Sequence, residues 1–141
     1  MATALFYQPQ CGIAGDMHLA ALIDLGVPAD YVQAELTRLG LGDTFTLQLS
    51  DAQKMGINGL NARVQTQDQH DHRHHSTIQQ MIRNAGFAPG IEQRALHIFQ
   101  AIAVAEGKIH NIEPEQVHFH EVGAIDSIVD IVAAAICIDY I

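Results

Sequence analysis

The last apolar segment constrains the fold most. From Ala124 onward the residues are apolar on most faces of a helix, so that helix must be buried rather than laid on a surface. Two carboxylates interrupt it, Asp126 and Asp130, four apart and therefore on one face. Ala133, Ala134 and Cys137 continue roughly along that face. Asp130 stands between Val129 and Ile131, in the helix interior. A carboxylate carried into a core needs a cation or hydrogen-bond donors. Just upstream, His118, His120 and Glu121 place two imidazoles and a carboxylate within four residues, at the mouth of this helix.

The rest of the chain supplies the elements that cover such a helix. Residues 4–8 read as a short strand, and Pro9, Gly12 and Gly15 make a turn after it. Residues 14–25 follow a helical pattern that Gly26 stops, and a second helix runs from Pro28 to about Leu39. Residues 44–49 and 57–65 alternate polar and apolar, as strands paired across a longer loop would. Residues 65–75 are polar, mostly Gln, Asp and His. Ser76 is a candidate cap for a helix over 77–85. Residues 89–110 predict a long helix with Ile91, Ala95, Ile98, Ile102 and Ala105 on one stripe, and Pro114 ends the pattern. Residues 117–119 read as extended. The order β-α-α-β-β-α-α-α predicts an α+β fold, a small mostly antiparallel sheet packed by helices. We expect one domain over 1–141. The apolar end at Ile141 has no glycine or polar tail, so the N-terminal part of a longer protein is expected.

Charge and apolar lengths exclude several partners. Sixteen acidic residues against seven basic give a net charge of −9, which disfavours a nucleic-acid backbone and suits cations. The longest apolar stretch, 131–138, is too short to span a bilayer, so no membrane role is expected. Cys11 and Cys137 follow no secretory signal, and we expect a cytoplasmic location with neither in a disulfide. An uncapped apolar terminal helix also favours a partner surface, from a companion chain, a further domain or a homo-oligomer.

Three segments carry chemistry. His118 and His120 point to one face if their segment is extended, and neutral imidazoles on one face chelate transition metals. The plainer reading has Asp126 and Ser127 capping the helix while the imidazoles bond to backbone. His70, His72, His74 and His75, four histidines in six residues, would capture nickel, copper or zinc, or else form a solvated loop without a role. Gly12, Gly15 and Asp16 join strand to helix, a turn whose N–H groups suit a phosphate, although Asp16 opposes a bare anion. A plain turn accounts for two glycines as well. His18, His97 and His110 are weaker candidates, and His110 is placed to pair with Glu106.

Taken in order, residues 12–17, the histidine-rich loop and the run His118-Phe119-His120-Glu121-Val122-Gly123-Ala124-Ile125-Asp126-Ser127-Ile128-Val129-Asp130 resemble the LarC family of nickel insertion proteins. The resemblance covers nearly all of the chain. It implies a CTP-dependent cyclometallase of the lyase class. Such an enzyme inserts Ni(II) into pyridinium-3,5-bisthiocarboxylic acid mononucleotide, forming the nickel-pincer nucleotide cofactor of lactate racemase. CTP would be used with Mn(II) or Mg(II) through a C-terminal domain that this chain lacks. Gln8 and Cys11 depart from the acidic residue and serine usual before the first glycine motif.

The resemblance makes His118, His120 and Glu121 candidate holders of nickel in transit, with Asp126 or Asp130 orienting an imidazole. Gly12, Gly15 and Asp16 become the candidate seat of the nucleotide-like substrate. Two other functions compete: a non-catalytic nickel chaperone or storage module built on the histidine loop, and a divalent-metal phosphate-ester hydrolase using Asp16, His118, His120 and Asp130.

Overall fold

The computed structural model describes residues 4–67 and 73–141. In chain order the elements are α1 (Gly15–Asp24), α2 (Ala29–Leu36), β1 (Phe45–Lys54), β2 (Ile57–Thr66), β3 (Arg73–His74), α3 (His75–Asn84), α4 (Pro89–His110), β4 (His118–Phe119) and α5 (Ile125–Tyr140). Short 3-10 turns follow α2 and precede β1 and β4. The fold is α+β, with small antiparallel pairings and helices around them.

Helix α5 is the pillar. Ile125, Ile128, Val129, Val132, Ala133, Ala134, Ala135, Ile136 and Cys137 are buried on it, and α1, α2, α4 and β2 all pack against it. Helix α4 keeps its expected bounds. Proline is tolerated at its first position because that N–H has no partner within the helix, and Asn111 closes it in the left-handed conformation. Its buried stripe is Ile91, Ala95, Phe99, Ala103 and Gly107, a straight four-residue repeat in place of the expected row through Ile98, Ile102 and Ala105. Gly107 is required there, since a Cβ would lie 2.8 Å from the Ile112 carbonyl oxygen.

Strands β1 and β2 form an antiparallel hairpin from Phe45↔Thr66 to Lys54↔Ile57. They are joined by two residues, Met55 and Gly56, both at positive φ, rather than by the expected longer loop. Such a turn matches the twist of the strands. The inner face carries Phe45, Leu47 and Leu49 opposite Val64 and Ala62, while residues 50–59 are exposed.

Two local expectations are corrected. No strand forms at residues 4–8: no described strand pairs with them, although Leu5 packs on the core. Ser76 is not a cap. Helix α3 starts two residues earlier than expected, at His75, so His74 holds the cap position, and no side chain bonds the helix end. Cys11 and Cys137 are both free. Among the described residues no helix is long and apolar enough to cross a membrane.

Phe99 is fully buried on α4 and its ring lies 6.2 Å from that of Phe119. Replacing Phe99 with alanine is expected to cost ~3–5 kcal/mol, a large share of the ~5–15 kcal/mol typical of a domain. Urea unfolding with circular dichroism measures it, and a loss below ~1 kcal/mol would contradict this packing.

Candidate functional site

Two corners form at opposite ends of the run 118–130. The first is built of imidazoles. Strand β3 pairs antiparallel with β4, Arg73 opposite Phe119 and His74 opposite His118. Directly opposed side chains in such a ladder lie on the same face. The His74 and His118 rings accordingly stack, centroids 4.5 Å apart and planes at 29°. His120 is next to them, its ring 5.5 Å from that of His118. His74 and His120 are exposed and His118 is half-buried.

The fold thus joins one histidine of the polar segment to the pair downstream, two clusters that sequence distance keeps apart. His70 and His72 lie outside the described residues. His75 faces the other way, fully buried, with Nδ1 3.2 Å from the Pro114 carbonyl oxygen. Burial pushes its pKa down from the ordinary value, against the upward pull of that carbonyl.

Residues outside the expected set hold this corner together. Arg73 Nη1 donates to the Gly123 carbonyl at 2.9 Å. Gly123 admits no side chain, because a Cβ would lie 2.7 Å from the Phe119 carbonyl oxygen and 2.8 Å from the Arg73 nitrogen. The His75 N–H donates to Val117 O at 3.0 Å, extending the two-residue ladder. Their sequence signal is faint: an arginine inside the histidine segment and a glycine between two charged stretches.

The second corner is acidic. Gly12 takes a positive φ of 85° in the turn before α1. Gly15 is bare for a different reason: the Asp130 side chain of α5 lies against its Cα, and any Cβ would collide with that carboxyl group. Asp16 and Asp126 each accept a hydrogen bond from the next backbone N–H, of Met17 and Ser127, both at 2.7 Å. Ala124 holds the cap position of α5, and Asp126 serves the helix start from within the first turn, through the Ser127 N–H, rather than as the cap residue.

Burial, reinforced by the charges of Asp16 and Asp126, pushes the Asp130 carboxyl up to about 6. Its Oδ1 is buried without a hydrogen-bond partner. Glu121 is exposed between the corners; its carbonyl oxygen accepts from Ala124 N at 3.0 Å and from Ser127 Oγ at 3.3 Å.

Beside the glycine turn lies an apolar cleft of about 400 Å³, with Phe6, Tyr7, Ile13, Met17 and His18 in its walls. His18 Nε2 and the Tyr7 hydroxyl are 2.8 Å apart, so His18 is engaged with Tyr7. Among the described residues, no three or more His, Cys, Asp or Glu side chains are grouped so as to hold a metal ion.

Comparison with known proteins shows the family. A family model described as nickel insertion protein matches residues 5–141. The chain belongs to the nickel insertion protein family. Three relatives are each described as a pyridinium-3,5-bisthiocarboxylic acid mononucleotide nickel insertion protein. The protein of Clostridium acetobutylicum is 39% identical and aligns with 97% of this chain and 40% of its own length. That of Clostridium kluyveri is 44% identical over 97% of this chain and 37% of its own. That of Geobacillus kaustophilus is 47% identical over 92% of this chain and 35% of its own. The chain therefore spans at most two-fifths of these relatives. No solved structure matches it.

Asp130 makes stability depend on pH. The carboxyl titrates near the ordinary 3.8 in the unfolded chain and near 6 in the fold. Below about pH 4 both states hold the proton and nothing is lost; as pH rises towards 6 the unfolded chain releases it first, and stability falls. Asp130→Asn is therefore expected to be more stable than the parent near pH 7.5, with the gap closing near pH 4. Thermal melts across that range test this, and a gap independent of pH would refute it. Gly15→Ala should cost ~1–3 kcal/mol by forcing Asp130 aside, which the same melts would show.

Proposed function

We propose that this chain supplies the metal- and substrate-binding part of a nickel insertase. The reaction is cyclometallation of pyridinium-3,5-bisthiocarboxylic acid mononucleotide to the nickel-pincer nucleotide used by lactate racemase. The observation that carries the proposal is the β3–β4 ladder, which sets His74 against His118 with His120 beside them. Imidazoles suit nickel, and the sulfur donors of the substrate are softer ligands towards which the ion then passes.

His70, His72 and His74 gather nickel at low free concentration. His74, His118, His120 and Glu121 do not stand grouped as a finished metal site; nickel in transit draws on the imidazoles among them, and the sulfur donors of the substrate complete its ligand set. Gly12, Gly15 and Asp16 seat the substrate phosphate. Three carboxylates near that seat repel a bare anion, so the phosphate arrives with a divalent cation that Asp16, Asp126 and Asp130 attract. The apolar cleft next to the turn is of a size to take the pyridinium ring.

CTP hydrolysis with Mn(II) or Mg(II), the lyase chemistry as a whole and the cytoplasmic setting belong to the same proposal. A C-terminal domain or a companion chain, and self-association, complete it. A nickel storage module would need neither the half-buried carboxyl group of Asp130, with its unpartnered Oδ1, nor the bare glycine fitted to it, and both are present. That pairing favours insertion over storage.

Nickel titration by calorimetry near neutral pH tests the proposal. His74→Ala combined with His118→Ala is expected to weaken the tight site ~10-fold or more, with the fold intact by circular dichroism. Unchanged affinity would overturn the assignment.

A further inference from the structure

Among the described residues His75 is the one buried polar side chain, 0% exposed at the first position of α3. Its neighbour His74 points outward to His118, whereas His75, the next residue, turns inward where β3 gives way to α3. The partners of the inward ring define its chemical state. A carbonyl oxygen only accepts, so Nδ1, 3.2 Å from Pro114 O, carries the proton. Nε2 is buried without a partner. A protonated Nε2 there would be a buried unpaired donor on a buried cation, which costs far more than a bare lone pair. The ring is therefore the neutral Nδ1–H tautomer.

We propose that His75 is a positioning residue for the imidazole corner and not one of its metal ligands. This deepens the nickel reading and rests on it. The residue ties three pieces together, two through its side chain and one through its backbone. Nδ1 engages the turn at Pro114. The ring edge meets Phe119, centroids 5.7 Å apart at 73°. The backbone N–H holds Val117 O at 3.0 Å. Phe119 in turn lies against Phe99 of α4. These contacts fix residues 114–119 against the start of α3, and so fix where His118 meets His74. A buried ring bonded to a carbonyl can select the register of a two-residue ladder that is too short to select its own.

The experiment uses this chain with Zn(II) as a diamagnetic probe and Ni(II) for affinity. Histidine ring nitrogens are followed by long-range 1H–15N correlation. The expected result is that His75 shows the Nδ1–H tautomer before and after zinc, while His74 and His118 shift. Direct zinc ligation at His75 Nε2 would overturn the proposal. If zinc shifts none of the three, the nickel reading fails, while the tautomer of His75 is still read from the same spectrum.

Substitution gives a second arm. His75→Asn places an N–H where Nδ1 was, and should keep nickel affinity within ~3-fold at unchanged stoichiometry. His75→Leu removes the tie and should weaken binding ~10-fold, again at unchanged stoichiometry. A lower nickel stoichiometry in His75→Asn, or full affinity in a folded His75→Leu, would each overturn the positioning role. If His75→Leu does not fold, the asparagine variant and the zinc spectrum decide.

Discussion

The burial of α5 governs the rest of the structure. Four other elements pack on it, and every residue from Val132 to Cys137 is buried. Ile128, Val129, Val132 and Ile136 each contribute ~1.5–3 kcal/mol by leaving water, which outweighs the cost of one poorly solvated carboxylate. Asp130 is thus drawn in with the helix. Its side chain takes the space that a Cβ at residue 15 would need, so α1 approaches through a bare glycine. A hydrophobic requirement on one helix in this way places a carboxyl group at the turn before another.

The imidazole corner has a different origin. A two-residue ladder between segments more than forty residues apart cannot stand alone, because closing the intervening chain costs entropy that two paired residues do not recover. Its stability is borrowed from Phe119 in the core, from the Arg73 bond to Gly123, and from His75 beneath it. Each of these sits next to a residue of the corner in sequence, yet each acts by facing away from it. The exposed imidazoles are kept in place by their buried neighbours.

Much of this was legible in the sequence and some was not, for physical reasons that differ by element. The bounds of α4 follow from Pro89 and from the break before Pro114, both local backbone effects. The buried character of α5 follows from composition alone. The hairpin was visible as two alternating segments, but its two-residue turn was hidden because Met55 is not a residue that marks positive φ. Residues 4–8 have the residues of a strand, but a strand exists only through its partner. The pairing of His74 with His118 was invisible to any periodicity, since periodicity reports one segment at a time. The inward turn of His75 was hidden as well, since it depends on where β3 ends and α3 begins. Gly15 was noticed as a turn residue, whereas its reason lies in tertiary contact with Asp130.

In the function proposed above, the two corners are matched to two kinds of charge. Imidazoles bind a borderline transition ion without adding negative charge, and so leave it attractive to an incoming anionic sulfur donor. Carboxylates instead suit a hard divalent cation that accompanies a phosphate. One continuous backbone run, 118–130, carries the essential members of both sets, and Phe119, Gly123 and Ile125 anchor it in the core between them. On that proposal, an ion and a phosphate-bearing molecule bound at the two ends of a segment anchored in the core are held relative to each other. That is the requirement for delivering a metal to one defined position of a small molecule, and a pool of flexible ligands cannot meet it.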